Sequence, residues 1–230
     1  MTLPFPDHAF GAFLFDMDGT ILSSIAAAER VWAAWAQKHG LDVETFLPTI
    51  HGVRAVETIR RLNLPGVDVM AEVEALTQAE FEDVEGIEAI PGAAAFLKAL
   101  PPQRWAIVTS SPRRLAIRRL EATGLPIPQL MITGEDVTNG KPAPDCFLLA
   151  ANRLGLKPQD CLVFEDAPAG IQAAEAAGTK IVVITATHKH AIETPHPTIA
   201  GYGSLVPLLN GGSRLVLTKS GSTTSATAGA

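Results

Sequence analysis

Apolar residues along the chain fall into two patterns. Short runs dominated by apolar residues stand at 12–15, 105–109, 130–133, 161–164 and 180–184. Runs that short, closed by polar or glycine residues, predict buried parallel strands. Between them, over 92–100, 112–123, 144–154 and 168–177, apolar residues recur at the three- and four-residue spacing of a helix. Gly124, Gly155 and Gly178 close the last three helices, where a residue without a Cβ suits the left-handed exit. This strand-helix alternation predicts an α/β fold built on a doubly wound parallel sheet.

The stretch 24–88 breaks the alternation. Ile25, Ala28, Val31, Trp32 and Trp35 keep helical spacing up to Gly40, and further helical runs follow at 53–62 and 67–84. No strand pattern appears there. The expected organisation is therefore a core of 1–23 and 89–218, a helical insert at 24–88, and a flexible Ser-, Thr-, Gly- and Ala-rich tail at 219–230. Trp32 and Trp35 share an apolar face and read as packing within the insert. Asn210, Gly211 and Gly212 mark a turn before the apolar run Leu215, Val216, Leu217.

Composition narrows the function. The 230 residues are 47% hydrophobic, which supports a sizeable core, and carry a net charge of −6 with no basic tract. A phosphate-tracking nucleic-acid surface is not expected. A small anionic substrate remains compatible, because a pocket can be positive within an acidic protein. Cys146 and Cys161 have no metal-type spacing and read as reduced, buried thiols. The first residues show neither a basic segment nor a long apolar stretch, and no run approaches the ~20 apolar residues of a membrane span. The expectation is a cytoplasmic monomer with no membrane partner.

Candidate chemistry sits where the strands end, the edge at which open α/β sheets bind ligands. Asp16 and Asp18 follow the first strand. At about 4 Å and an effective dielectric of about 20, two such carboxylates repel by roughly 4 kcal/mol. A cation between them, or a proton on one, removes the conflict, which suits a hard-metal site or a nucleophile beside a general acid/base. Thr109 and Ser110 close the second strand, Lys141 stands in a loop held extended by Pro142, and Glu165 and Asp166 close another strand. Taken singly, these last three have ordinary readings: a helix cap, a solvated lysine, an acidic cap. Together they supply a nucleophile, hydroxyl donors, a fixed cation and oxygen ligands. His188, Lys189 and His190 read as a solvated loop remote from these motifs.

With those residues in place, the chain resembles the haloacid dehalogenase (HAD) superfamily. Asp16-Met17-Asp18-Gly19-Thr20 carries its signature, and Thr109-Ser110, Lys141 and Glu165-Asp166 follow in the family's order. The insert between the first and second motifs resembles the helical cap of the β-phosphoglucomutase-like subgroup on a Rossmann-like core. Ile50-His51-Gly52 and Glu165-Asp166-Ala167-Pro168-Ala169-Gly170 narrow the resemblance to phosphatases of sugars and polyols, of the hexitol, 2-deoxyglucose-6-phosphate and glycerol phosphate type. The resemblance implies a Mg²⁺-dependent phosphatase of a phosphorylated small molecule. Asp16 would be the nucleophile and Asp18 the general acid/base. Asp16, the backbone carbonyl of Asp18 and Asp166 would hold Mg²⁺, with Glu165 reaching it through a water. Thr109, Ser110 and Lys141 would hold the phosphoryl group, and His51 and Arg54 would face the substrate from the cap. Ser23 stands where many relatives carry Asp. Hinges are expected near 22–24 and 88–91. Two alternatives remain open at this point: a phosphosugar mutase on the same scaffold, and a non-catalytic phospho-receiver module.

Overall fold

The computed structural model describes residues 2–188 and 190–221. In chain order the elements are β1 (Ala12–Phe15), β2 (Leu22–Ser23), α1 (Ile25–Lys38), α2 (Val43–Phe46), α3 (Ala55–Leu62), α4 (Val69–Glu82), β3 (Glu88–Ala89), α5 (Ala93–Lys98), β4 (Trp105–Val108), α6 (Arg113–Thr123), β5 (Leu130–Ile132), α7 (Asp145–Arg153), β6 (Cys161–Glu165), α8 (Pro168–Ala177), β7 (Lys180–Ile184), β8 (Thr198–Ile199), β9 (Leu205–Asn210) and β10 (Arg214–Lys219).

Six strands form a parallel sheet in the order β5-β4-β1-β6-β7-β8. β1 lies at its centre, with Phe13 opposite Trp105 on one side and Leu162 on the other. Alternate residues feed opposite faces. Phe13, Phe15, Ile107, Phe164 and Val182 join one apolar core; Leu14, Ala106, Val108, Val163 and Val183 join the other. Both faces are covered, which is why the strands read as continuous apolar runs rather than alternating ones. The ladder continues one residue past two strands: the Asp16 N–H donates to Phe164 O at 2.9 Å and the Thr109 N–H to Ile132 O at 2.9 Å. Both side chains are thereby fixed at the carboxyl rim.

The stretch between β2 and β3 is helical, as the apolar spacing predicts. It has its own core, in which Trp32 and Trp35 pack with Phe46, Ile59 and Leu76. The four-residue helix α2 was not visible in the spacing; it is started by Asp42, whose carboxylate accepts the Thr45 N–H at 2.9 Å. β2 and β3 pair antiparallel where the chain enters and leaves the insert, with Ser23 opposite Glu88. The run around Leu215 becomes β10 of an antiparallel hairpin with β9. Lys219, assigned above to the tail, pairs with Leu205 in that hairpin. The rest of the expected tail, from 222, lies outside the described residues.

The sheet's central packing generates one expectation. Phe164 stacks on Phe15 at 4.7 Å between ring centroids and meets Phe13 edge-on at 5.5 Å. Phe164→Ala removes both contacts and should lower unfolding free energy by about 3–5 kcal/mol in a denaturant titration. A loss below about 1 kcal/mol would show that the face does not depend on this stack.

Candidate active site

Four charged side chains converge at the end of β1 and β6. Lys141 is 2 % exposed. Its Nζ donates to Asp16 Oδ1 at 2.6 Å, Glu165 Oε1 at 2.8 Å and the Val108 carbonyl at 3.1 Å. The other Glu165 oxygen accepts the N–H groups of Asp166 and Ala167 at 2.6 and 2.8 Å. Thr20 donates its hydroxyl to Asp166 Oδ1 at 3.2 Å. Glycine is required beside this group: a Cβ on Gly19, at φ +89°, would overlap the Asp166 carboxylate, and one on Gly170 would overlap Glu165. Lys141, whose residue-level reading was a solvated side chain, is fully enclosed.

The electrostatics push the buried acids toward holding their protons. Burial lifts the Asp16 carboxyl to about 7; Lys141 opposes the lift and Glu165 adds to it. Burial also raises Asp166 well above the usual carboxylate range, reinforced by Glu165 and Asp16. For Lys141, burial works against the charged form, but Asp16 and Glu165 outweigh it and raise its pKa above the ordinary lysine value. One ammonium therefore faces three carboxylates. Oxygens of Asp16, Glu165 and Asp166 all lie within 4.8 Å of one another. That all-oxygen set fits a hard divalent cation, whose charge would oppose the burial and mutual repulsion that raise Asp16 and Asp166.

Asp18 is set differently. Ser24 Oγ donates to its Oδ1 at 2.6 Å, Arg119 Nη1 to the same oxygen at 2.9 Å, and Ser111 Oγ to Oδ2 at 3.1 Å. Arg119 was not anticipated. A signal was present: in α6 the buried positions are Leu115, Ala116, Arg119 and Leu120, so a charged residue occupies an apolar-face position.

Above these groups lies a cavity of about 720 Å³, roofed by the insert and lined by Asp16, Asp18, Thr109, Ser110, Trp32 and His51 among others. The volume is that of a small-molecule site. Thr109 is buried and its hydroxyl oxygen accepts the Ser111 N–H at 3.1 Å. Ser110 donates its hydroxyl to the Gly52 carbonyl of the insert at 2.9 Å. His51 lies 3.5 Å from Glu29, and both line the cavity.

Two readings are corrected. Arg54 does not face the substrate space. Its guanidinium donates to the carbonyls of Gly134, Val137 and Thr138 at 3.1, 3.0 and 2.8 Å and pairs with Glu57, so it ties the insert to the core. The loop after β7 is not remote. His188 and His190 line the cavity, and His188 Nε2 lies 2.9 Å from the Asp166 carbonyl oxygen. All parallel strands end at one rim, and β7 neighbours β6, so its following loop arrives beside Asp166. Lys189 lies outside the described residues.

Known proteins agree with this geometry. The family model for haloacid dehalogenase-like hydrolase matches residues 10–178. Hexitol phosphatase A of Escherichia coli (strain K12) is 44% identical over 178 residues, covering 76% of this chain and 82% of that protein. Glycerol-1-phosphate phosphohydrolase 2 of Saccharomyces cerevisiae is 36% identical over 189 residues, covering 76% and 75%. Among solved structures, a hydrolase from Pseudomonas syringae superposes with a TM-score of 0.68 at 30% identity, covering 76% of this chain and 84% of that one. The match along the chain, the parallel sheet with its helical insert and the rim of acids around one lysine together place the protein: it belongs to the haloacid dehalogenase-like hydrolases.

Proposed function

We propose that the chain is a Mg²⁺-dependent phosphatase that hydrolyses a small sugar or polyol monophosphate through an aspartyl-phosphate. The observation that carries this reading is the Asp16 carboxylate, which lines the cavity while Lys141 grips it from behind and Asp18 stands two residues on. The phosphatase relatives of sugars and polyols support the same substrate class.

The chemistry follows from the placement. The free oxygen of Asp16 attacks phosphorus, and the bond from phosphorus to the alcohol oxygen breaks. That oxygen keeps the bonding pair and takes the proton held by Asp18, so a neutral alcohol leaves. Water then attacks phosphorus and returns a proton to Asp18, the aspartyl oxygen departs, and phosphate and the Asp16 carboxylate are restored. Covalent attack divides one slow displacement into two. Lys141, Thr109 and Ser110 orient the phosphoryl group, and Lys141 keeps Asp16 aimed. Bound by Asp16, Asp166 and the Asp18 carbonyl, with Glu165 behind them, Mg²⁺ would offset phosphoryl charge that hydrogen bonds worth about 1 kcal/mol each cannot.

The far end of the cavity favours a phosphatase over a mutase. A mutase must accept phosphate at either end of its sugar, so it needs a second anion site. Here the insert side presents Glu29 and Glu44, Glu80 is taken up by Arg119, and Arg54 is committed to core carbonyls. Carboxylates accept hydroxyl protons but repel a second phosphate.

Asp16→Asn should lower phosphate release from hexitol or glycerol phosphate by more than about 10³-fold, and Asp18→Asn by about 10²–10⁴-fold, with unfolding transitions retained. Turnover within tenfold of the unaltered chain would remove either residue from its role. Treatment with a chelator should abolish phosphate release, and added Mg²⁺ should restore it. Full activity after chelation would overturn the metal reading.

A further inference from the structure

Arg119 is the buried charge that the mechanism above leaves unused. It stands on α6 where an apolar residue would pack, and is 4 % exposed. Nη1 donates to Asp18 Oδ1 at 2.9 Å and to Ser111 Oγ at 3.1 Å; Nη2 donates to Glu80 Oε1, on α4 of the insert, at 3.1 Å. Its Nε–H is buried and meets no hydrogen-bond acceptor among the described residues. Such a group is a poor device for stability. Buried ion pairs return little net free energy against well-packed apolar replacements, and an unpaired buried donor is itself destabilising. What the arrangement does achieve is a fixed Asp18.

We propose that Arg119 is a positioning residue for the Asp18 carboxylate, and that Glu80 makes its grip depend on the insert being seated. The inference rests on the phosphatase reading. Oδ1 of Asp18 receives two donors, Ser24 Oγ and Arg119 Nη1. Oδ2 meets one hydroxyl, that of Ser111, which can turn to donate or accept. The guanidinium thus commits Oδ1 to holding and leaves Oδ2 as the oxygen that carries the proton to the departing alcohol. Glu80 is 11% exposed at its side chain and Asp18 27%, so the Arg119–Glu80 arm is shielded while the insert covers it and Asp18 opens onto the cavity. With the insert displaced, Nη2 loses Glu80 and water reaches the guanidinium. The pair then weakens toward the small value of a solvated ion pair, and Asp18 loses its set orientation. The acid/base is aligned when the cavity is roofed.

The test compares the unaltered chain with Arg119→Met and Glu80→Gln on two esters in saturating Mg²⁺. Glycerol phosphate has an alcohol that needs a proton to leave; p-nitrophenyl phosphate has one that leaves without it. Because kcat/KM reports events up to phosphoenzyme formation, the ratio of the two values isolates proton delivery. Arg119→Met should lower kcat/KM for glycerol phosphate by about 30-fold or more, with KM changed less than about threefold, and lower that for p-nitrophenyl phosphate by less than about threefold. Glu80→Gln, which keeps shape and hydrogen bonding, should shift the same ratio in the same direction by roughly 3–10-fold; it decides the matter if Arg119→Met fails to fold. Equal losses on both esters, or no loss on either, would overturn the proposal. Absence of turnover of both esters by the unaltered chain would overturn the phosphatase reading and this inference with it.

Discussion

The Lys141 ammonium is what allows the acids of this site to exist together. Asp16, Glu165 and Asp166 are buried within 4.8 Å of one another, and Lys141 bonds two of them at 2.6 and 2.8 Å. Burial pushes Asp16 and Asp166 toward protonation, a push opposed by Lys141. With it, one positive charge still faces three acids, and burial keeps Asp16 raised to about 7. On the proposed reading, a divalent ion and the phosphoryl group it accompanies would balance these acids.

The sheet makes the convergence possible. In a parallel sheet every strand delivers its last residue to one rim, so positions far apart in sequence meet without any long loop. β1 delivers Asp16, β4 is followed by Thr109, β6 ends on Glu165, and β7 is followed by the loop bearing His188. Buried Phe13, Phe15 and Phe164 on one face and Leu14 and Val163 on the other hold those strand ends rigid. Precision at the rim is thus inherited from apolar packing beneath it.

This division explains what could be read from the chain. The strands and most helices were legible, because burial on both faces leaves continuous apolar runs and helical packing leaves a three- and four-residue spacing. The acidic pairs were legible because carboxylates after an apolar strand have few ordinary uses. Lys141 taken alone was not, since nothing local separates an enclosed lysine from a solvated one. Arg119 left a fainter trace: it shares the helical spacing of Leu115, Ala116 and Leu120, but it stands among other arginines of α6 that face outward. Arg54 was assigned to the substrate, yet its acceptors are backbone carbonyls that touch it in space from about 80 positions away in sequence, and carbonyls carry no residue signature. His188 lies 22 positions from Asp166 in the chain, yet β6 and β7 are neighbouring parallel strands and end together, which brings the two side by side.

The same view explains how the insert can cover the site without being welded to it. Its Trp32, Trp35 and Phe46 cluster is separate from the two cores that flank the sheet. Its ties to the core join a small apolar seam, where Ala27 and Ile87 enter the sheet core, to polar bonds: Arg54 to three carbonyls, Ser110 to Gly52, Arg114 to Glu74 and Arg119 to Glu80. Water can replace most of such bonds at a net cost near 1 kcal/mol each, whereas parting an apolar core of this size would cost many times that. The exposed pair Arg114–Glu74 contributes least, being open to solvent on both partners. The buried pair Arg119–Glu80 is the exception, and it is the one that reaches Asp18. Polar seams would let the roof part from the sheet cheaply, and on the proposed reading the buried Arg119–Glu80 contact is placed where parting is felt by Asp18.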